Sequence, residues 1–394
     1  MLVWKTTPQW RRYPVMQDFD EMSDDQSGET TSKRPLTTAG VVIRLGAIGV
    51  AVLCVAGAFA YTGGWLSPRR LTEDRMLAAF TDAEGLHPGF RRNHAKGVCV
   101  SGWFDSNGQA VSFSTATVFK PGRTAIVGRF GLSGANPFQA DQPAIVRSMA
   151  VKFLLPGAGE WRITMNNEAV FGVNSAQGFR DQVLASIPDP ATGKPDPAKV
   201  KAFMAAHPET VRAMAVIKQS PPSQGFADST FNSLNAFRLV NAAGASIPVR
   251  WATVPMQPFA AESAARSASN DENYLFDDLI QQIHQHPLRW RLMITIGQPG
   301  DPTDDATLPW PADRQQINAG TVTIDELSSE DTGPCAYVNY DPLVLPSGIA
   351  PSDDPLLSAR SAAYSRSFTL RAGEEAEKPP SAITRQDVQA GGKS

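Results

Sequence analysis

Hydrophobic and polar positions divide this chain into zones of different period. Residues 1–44 are polar, rich in Ser, Thr and Asp, and show neither helical nor strand spacing. Such a stretch cannot bury enough apolar surface to offset the entropy of ordering, so a disordered tail is expected. Residues 45–66 carry no charge, and Arg44 and the Arg69-Arg70 pair bracket them. A helix of that length is roughly 33 Å long, enough to cross a bilayer's hydrocarbon core. Tyr61 and Trp65 near one end suit the membrane interface. One transmembrane helix is therefore expected over residues 45–66.

From residue 71 to 371 the period shortens. Alternating positions predict strands at residues 98–104, 110–119, 125–130, 149–155 and 161–165. Further strands are predicted at 236–240, 248–254, 289–296 and 321–327, with helical spacing at 177–187, 197–206, 209–217 and 277–284. Many short strands with helices inserted between them point to an α+β domain built on a closed antiparallel barrel. Residues 372–394 are charged and contain Pro and Gly, and a second disordered tail is expected there.

Composition narrows the function classes. The chain has 394 residues and a formal net charge of −3, with signs mixed along it, which gives no footing for nucleic-acid binding. Cys54, Cys99 and Cys335 form no C-x-x-C pair and no metal-ligand spacing. Cys54 lies in the apolar run, so Cys99–Cys335 is the one conceivable intramolecular disulfide. The 5 histidines do not make a histidine-rich metal site. Lys33, Arg34 and Arg44 precede the apolar run, and Arg69, Arg70 and Arg75 follow it, so the positive-inside count is nearly even. Lys5, Arg11 and Arg12 tip it towards a cytoplasmic N-terminus and a main domain on the periplasmic or other extracytoplasmic side. Ala58-Phe59-Ala60 has the form of a signal-peptidase site, but the run starts far from residue 1, which favours a retained anchor.

Chemistry concentrates in Arg91-Arg92-Asn93-His94-Ala95-Lys96-Gly97. His94 is a candidate acid–base group, because an unperturbed histidine changes charge near neutral pH. The small residues after it let something flat and bulky approach the backbone. Asn166-Asn167 follows a strand pattern; alone, the pair would signal only a turn. Arg360 and Tyr364 share a helix face at i and i+4, where a guanidinium favours phenolate over phenol.

Together these stretches resemble the haem-binding core of the catalase family, most closely its short, catalase-related peroxidase branch. Arg91-x-x-His94-Ala95-Lys96-Gly97 resembles the distal-histidine motif, in which the arginine faces a haem propionate. Asn166 falls at the family's second distal catalytic residue, within an Asn-Asn-x-x-x-Phe segment that ends at Phe171. Phe179 falls where an aromatic packs on the porphyrin. Arg360-Ser361-Ala362-Ala363-Tyr364 has the spacing of the proximal ligand, which would make Tyr364 the axial phenolate on the iron. Arg129 and Arg371 match further propionate-binding arginines. The likeness covers roughly residues 75 to 371.

The resemblance implies haem b and a haem peroxidase that reduces organic hydroperoxides and hydrogen peroxide. It further implies an unknown electron donor, weak catalase activity at most, and room for a homo-oligomer. Gly131 stands where large catalases carry a serine that orients the distal histidine, and Asn93 replaces a valine that narrows the access channel. A C-terminal helical domain and a nucleotide-binding set are missing, so no NADPH is expected. Catalase-like cores are not disulfide-built, which argues against a Cys99–Cys335 bond. Two alternatives stay open: a haem hydroperoxide isomerase of the allene oxide synthase kind, and a non-enzymatic, membrane-tethered haem-binding protein.

Overall fold

The computed structural model describes residues 37–62, 71–142, 145–263 and 271–391. It falls into two units, residues 1–66 and 67–394. Most of the tail expected over residues 1–44 lies outside the described residues. In the first unit, helix α1 (Thr38–Thr62) has a mean hydropathy of 2.3 across its apolar window. By length and composition it can cross a membrane. It begins at Thr38 rather than Leu45, takes Arg44 into the helix, and residues 63–66 are outside the described set.

The second unit is organised by ten strands. They are β1 (Gly97–Ser106), β2 (Gly122–Leu132), β3 (Arg147–Leu154), β4 (Glu160–Asn166), β5 (Phe231–Asn232), β6 (Phe237–Val240), β7 (Ser246–Pro255), β8 (Leu288–Ile296), β9 (Gln316–Ser329) and β10 (Ile349–Pro351). All pairings are antiparallel, in the order β10-β6-β7-β5-β4-β3-β2-β1-β9-β8. Strand β8 pairs back onto β7, Trp251 opposite Ile294, and so closes an eight-stranded barrel with β6 and β10 appended to β7.

Alternation decides what each strand face does. Val98, Val100 and Phe104 of β1, Met149, Val151 and Phe153 of β3, and Trp161, Ile163 and Met165 of β4 share one buried apolar cluster. Phe153 stacks on Trp161 at 4.8 Å, and Phe104 meets Phe153 edge-on at 5.4 Å. Side chains thus fill the barrel interior, so a ligand site has to form on its outer face. Arg129, Ser148, Ala150, Thr164 and Asn166 occupy the opposite parity, and all of them line a cavity.

The helices are α2 (Glu73–Glu84), α3 (Ala176–Ala185), α4 (Pro197–Ala206), α5 (Pro208–Ile217), α6 (Tyr274–Gln285), α7 (Pro355–Gly373) and α8 (Arg385–Gln389). Helix α7 starts sharply, because the Asp354 side chain accepts the Leu356 N–H and Pro355 takes the first turn. Helix α2, absent from the periodicity reading, buries Met76, Leu77 and Phe80.

Three expectations are corrected. Residues 110–119 do not form a strand: they turn, ending in a 3-10 turn at Thr117–Phe119. Their alternation reflects burial of Ala110, Val118 and Phe119 in the main core without a ladder partner. The segment from residue 374 to 391 is not a disordered tail. Ile383 and Val388 join the main core, Ser329 Oγ donates to the Ile383 carbonyl at 2.7 Å, and a Thr384/Asp387 capping box starts α8. Finally, Cys99 and Cys335 are disulfide-bonded, with their Cα atoms 5.3 Å apart. The loop after β9 returns over β1 and brings Cys335 onto Cys99, a long-range juxtaposition that spacing does not reveal.

Candidate active site

Arg91, His94, Arg129, Asn166, Phe171, Phe179, Arg360, Tyr364 and Arg371 all line one cavity of about 1010 Å³. They arrive from the loop before β1, from β2, from the end of β4, from α3 and from α7. Convergence of all nine is itself a finding, since their sequence positions span most of the second unit.

One wall carries His94. Its φ of 54° is the left-handed region, uncommon for a residue with a side chain. Two hydrogen bonds hold that conformation: the N–H groups of His94 and Gly134 both donate to Asn93 Oδ1, at 2.8 and 2.9 Å. Asn93 therefore aims the histidine. The Leu132 backbone lies beside the ring, and among the described residues the buried imidazole Nδ1 makes no hydrogen bond of normal geometry. Nor could a serine at 131 readily supply one here, because a Cβ there would lie 2.3 Å from Arg129 Nη1. Burial, then the charges of Arg129, Arg360 and Arg91, push the imidazole down to about 3, so it is neutral at physiological pH. Asn166 lies on the same cavity and is braced by the Glu168 N–H, which donates to its Oδ1 at 3.0 Å. Phe171 and Phe179 meet at 5.4 Å between ring centroids.

A second edge is a cluster of arginines around Glu330. Arg129 makes a fork to Glu330, Nε to Oε1 at 3.0 Å and Nη2 to Oε2 at 2.7 Å, and Arg91 Nε adds a 2.9 Å contact. Arg91 also donates to the Cys335 and Val338 carbonyls, and Arg371 to the Ala336 carbonyl. Burial works to raise the Glu330 carboxyl, but Arg129, Arg91 and Arg371 outweigh it and hold it well below the carboxylate range. Burial and Arg91 push Arg371 down to about 9, which leaves it a cation at neutral pH. Gly97 is needed here, because a Cβ would lie 2.4 Å from the Arg129 guanidinium. Three guanidinium charges less one carboxylate leave a surplus of two, which the two carboxylates of one ligand would neutralise.

The third wall is α7. Arg360 donates to Asn235 Oδ1 and, at 2.8 Å, to Thr164 Oγ1; Asn235 Nδ2 donates in turn to Asp354 Oδ2 at 2.7 Å. The guanidinium carbon lies 5.9 Å from the Tyr364 ring centroid. Arg360 thus lies by the ring while its hydrogen bonds run to the barrel. Sequence motifs alone did not mark Glu330, Thr164, Asp354 or Asn235 as site residues. Nor did they mark Glu168, although this residue sits inside the Asn-Asn-x-x-x-Phe segment. Among the described residues no group of three His, Cys, Asp or Glu could hold a metal ion, and Tyr364 lines the cavity from α7.

Known proteins share much of this sequence and its fold. Residues 88–390 match the family model described as Catalase. The chain is 37% identical over 324 residues to a catalase-related peroxidase of Synechococcus elongatus, covering 82% of this chain and 92% of that one. It is 31% identical over 315 residues to a catalase-related peroxidase of Mycolicibacterium paratuberculosis, covering 79% and 98%. A fungal catalase crystal structure superposes with a TM-score of 0.65 at 19% identity, over 81% of this chain and 65% of that one, and so shows the shared fold.

Proposed function

This chain belongs to the catalase family and is an oxidoreductase acting on peroxide, and from that premise we propose a haem b peroxidase that prefers organic hydroperoxides. The observation that carries the proposal is the convergence of all nine residues on one cavity whose arginine edge has two charges to spare. Haem implies an iron that accepts the peroxide and two carboxylates that need cations. Arg91, Arg129 and Arg371 would bind those carboxylates through charge-assisted contacts. Tyr364 would hold the iron through its phenolate oxygen, and Phe171 and Phe179 would offer the group apolar surface.

The chain's own groups then divide the work. Neutral His94 accepts the hydroperoxide proton and returns it to the departing oxygen, as base and then acid. Asn166 donates from its carboxamide to the peroxide and fixes its angle. Arg360 lies beside the Tyr364 ring, its guanidinium carbon 5.9 Å from the centroid, and is held there by Asn235 and Thr164. Tethering by α1, with the catalytic unit on the extracytoplasmic side, is supported by the Cys99–Cys335 disulfide, since such bonds persist in oxidising compartments.

The test is an absorption spectrum of the haem-supplemented protein, then stopped-flow mixing with hydrogen peroxide or an alkyl hydroperoxide while oxygen is recorded. A tyrosinate-type Soret band, faster reaction with the alkyl peroxide, reductant-dependent turnover and little oxygen release are expected. Absence of the band would overturn the haem reading. Vigorous oxygen release would make the protein a catalase in practice, and rearranged products without reductant would make it an isomerase.

A further inference from the structure

Glu168 stands apart from the other acids of the cavity. It lies two residues past Asn166, where its backbone N–H donates to Asn166 Oδ1 at 3.0 Å and its carbonyl accepts Asn232 Nδ2 at 2.9 Å. Its carboxylate faces the same cavity as His94, and its hydrogen bond there is Asn166 Nδ2 at 3.5 Å. Among the described residues no cation pairs with it. The arginines that share the cavity are engaged elsewhere: Arg91 and Arg129 on Glu330, Arg92 on Glu374, Arg360 on Asn235 and Thr164, Arg371 on Ala336. A part-buried, unpaired carboxyl is costly for the fold and has no evident structural return.

Resting on the peroxidase reading above, we propose that Glu168 is a proton-transfer residue of the reductive half of the cycle, acting on a phenol-type electron donor. Reducing one hydroperoxide to an alcohol and water consumes two electrons and two protons. Two phenol molecules supply both, each losing one electron and its O–H proton. Glu168 carboxylate takes that proton as the O–H bond breaks and passes it to the oxygen that leaves as water. His94, pushed down to about 3, is much the weaker base of the two for a phenol proton. Burial, partly offset by the Asn166 hydrogen bond, pushes Glu168 up to about 7, so both of its forms are populated. The charged or titratable groups that share the cavity with it are His94, Arg91, Arg92, Arg129, Arg360, Arg371, Tyr340, Tyr364, Glu73 and Glu84.

The experiment compares wild type, Glu168→Gln and Glu168→Asp as full-length haem-loaded protein. Peroxide consumption in a single turnover is measured first, and steady-state phenol oxidation is then followed from pH 5 to 9. In Glu168→Gln, peroxide consumption should stay within about twofold, while phenol oxidation falls about 100-fold. Wild-type phenol oxidation should rise with pH through about 7, as the carboxylate forms. That inflection should vanish in Glu168→Gln and return in Glu168→Asp. Unchanged phenol oxidation with an unchanged inflection would overturn the proposal, as would equal loss of both half-reactions. Failure of wild type to bind haem would instead strike the underlying haem reading, so the two failures are distinguishable.

Discussion

The arginine edge and the histidine wall of this cavity are built on opposite rules. Around Glu330 the charges are answered within the chain: a two-point fork from Arg129, a contact from Arg91, and carbonyls of residues 335, 336 and 338 for the remaining guanidinium groups. Across the cavity, His94 sits at a φ of 54° with no normal hydrogen bond at Nδ1, and no cation among the described residues pairs with Glu168. One side is a finished piece of structure that also offers charge. The other keeps strain and unmet hydrogen bonds, as reactive sites do when the rest of the fold supports them. Binding and chemistry are thereby separated in space, and each should fail in its own way.

His94→Ala is the largest test of that separation. Peroxide turnover should drop by about 10³-fold while haem binding persists and the melting temperature holds or rises slightly. Loss of haem together with activity would show the two regions to be one. Next in size is Glu330→Ala, which leaves Arg129 buried without its partner and should cost about 3–5 kcal/mol of stability by denaturant unfolding. A pH series sharpens it. The Glu330 carboxyl lies below its ordinary 4.5, so its contribution is complete above that value and lost as pH falls below it. Wild type should therefore lose stability below about 4.5, and Glu330→Gln should lack that component. The smallest effect is expected from Cys99→Ser with Cys335→Ser: about 3 kcal/mol, with weaker haem retention but an intact single-turnover rate in the loaded fraction. Residues 335, 336 and 338 feed carbonyls to the arginine edge, so loosening that loop should not touch the histidine wall.

How much was legible in the sequence follows the range of each interaction. The barrel strands emerge from alternation because inward positions such as Val98, Val100 and Phe104 repeat at period two. His94, Asn166, Arg360 and Tyr364 sit in short local motifs, and their convergence follows from the order of those motifs. Glu330 was invisible, since Arg129 lies 201 residues away and nothing local marks an acid as its partner. The docked C-terminal segment escaped for the same reason, whereas the Cys99–Cys335 pair stood out as the one conceivable disulfide and was set aside only on the family likeness. Residues 110–119 misled in the opposite sense: a locally convincing alternation had no strand beside it.

The position of β1 has a consequence for biogenesis. It pairs on one side with β2, next in the chain, and on the other with β9, Val98 opposite Ser329. A ribosome must therefore make more than two hundred further residues before β1 acquires its second neighbour. Until then its backbone donors and acceptors form an open template for any passing strand. Closure of so long a loop is slow, and a nascent or truncated chain lacking β9 is an aggregation hazard, not a smaller enzyme. The cell must shelter this protein late into its synthesis, whatever stability the finished barrel attains.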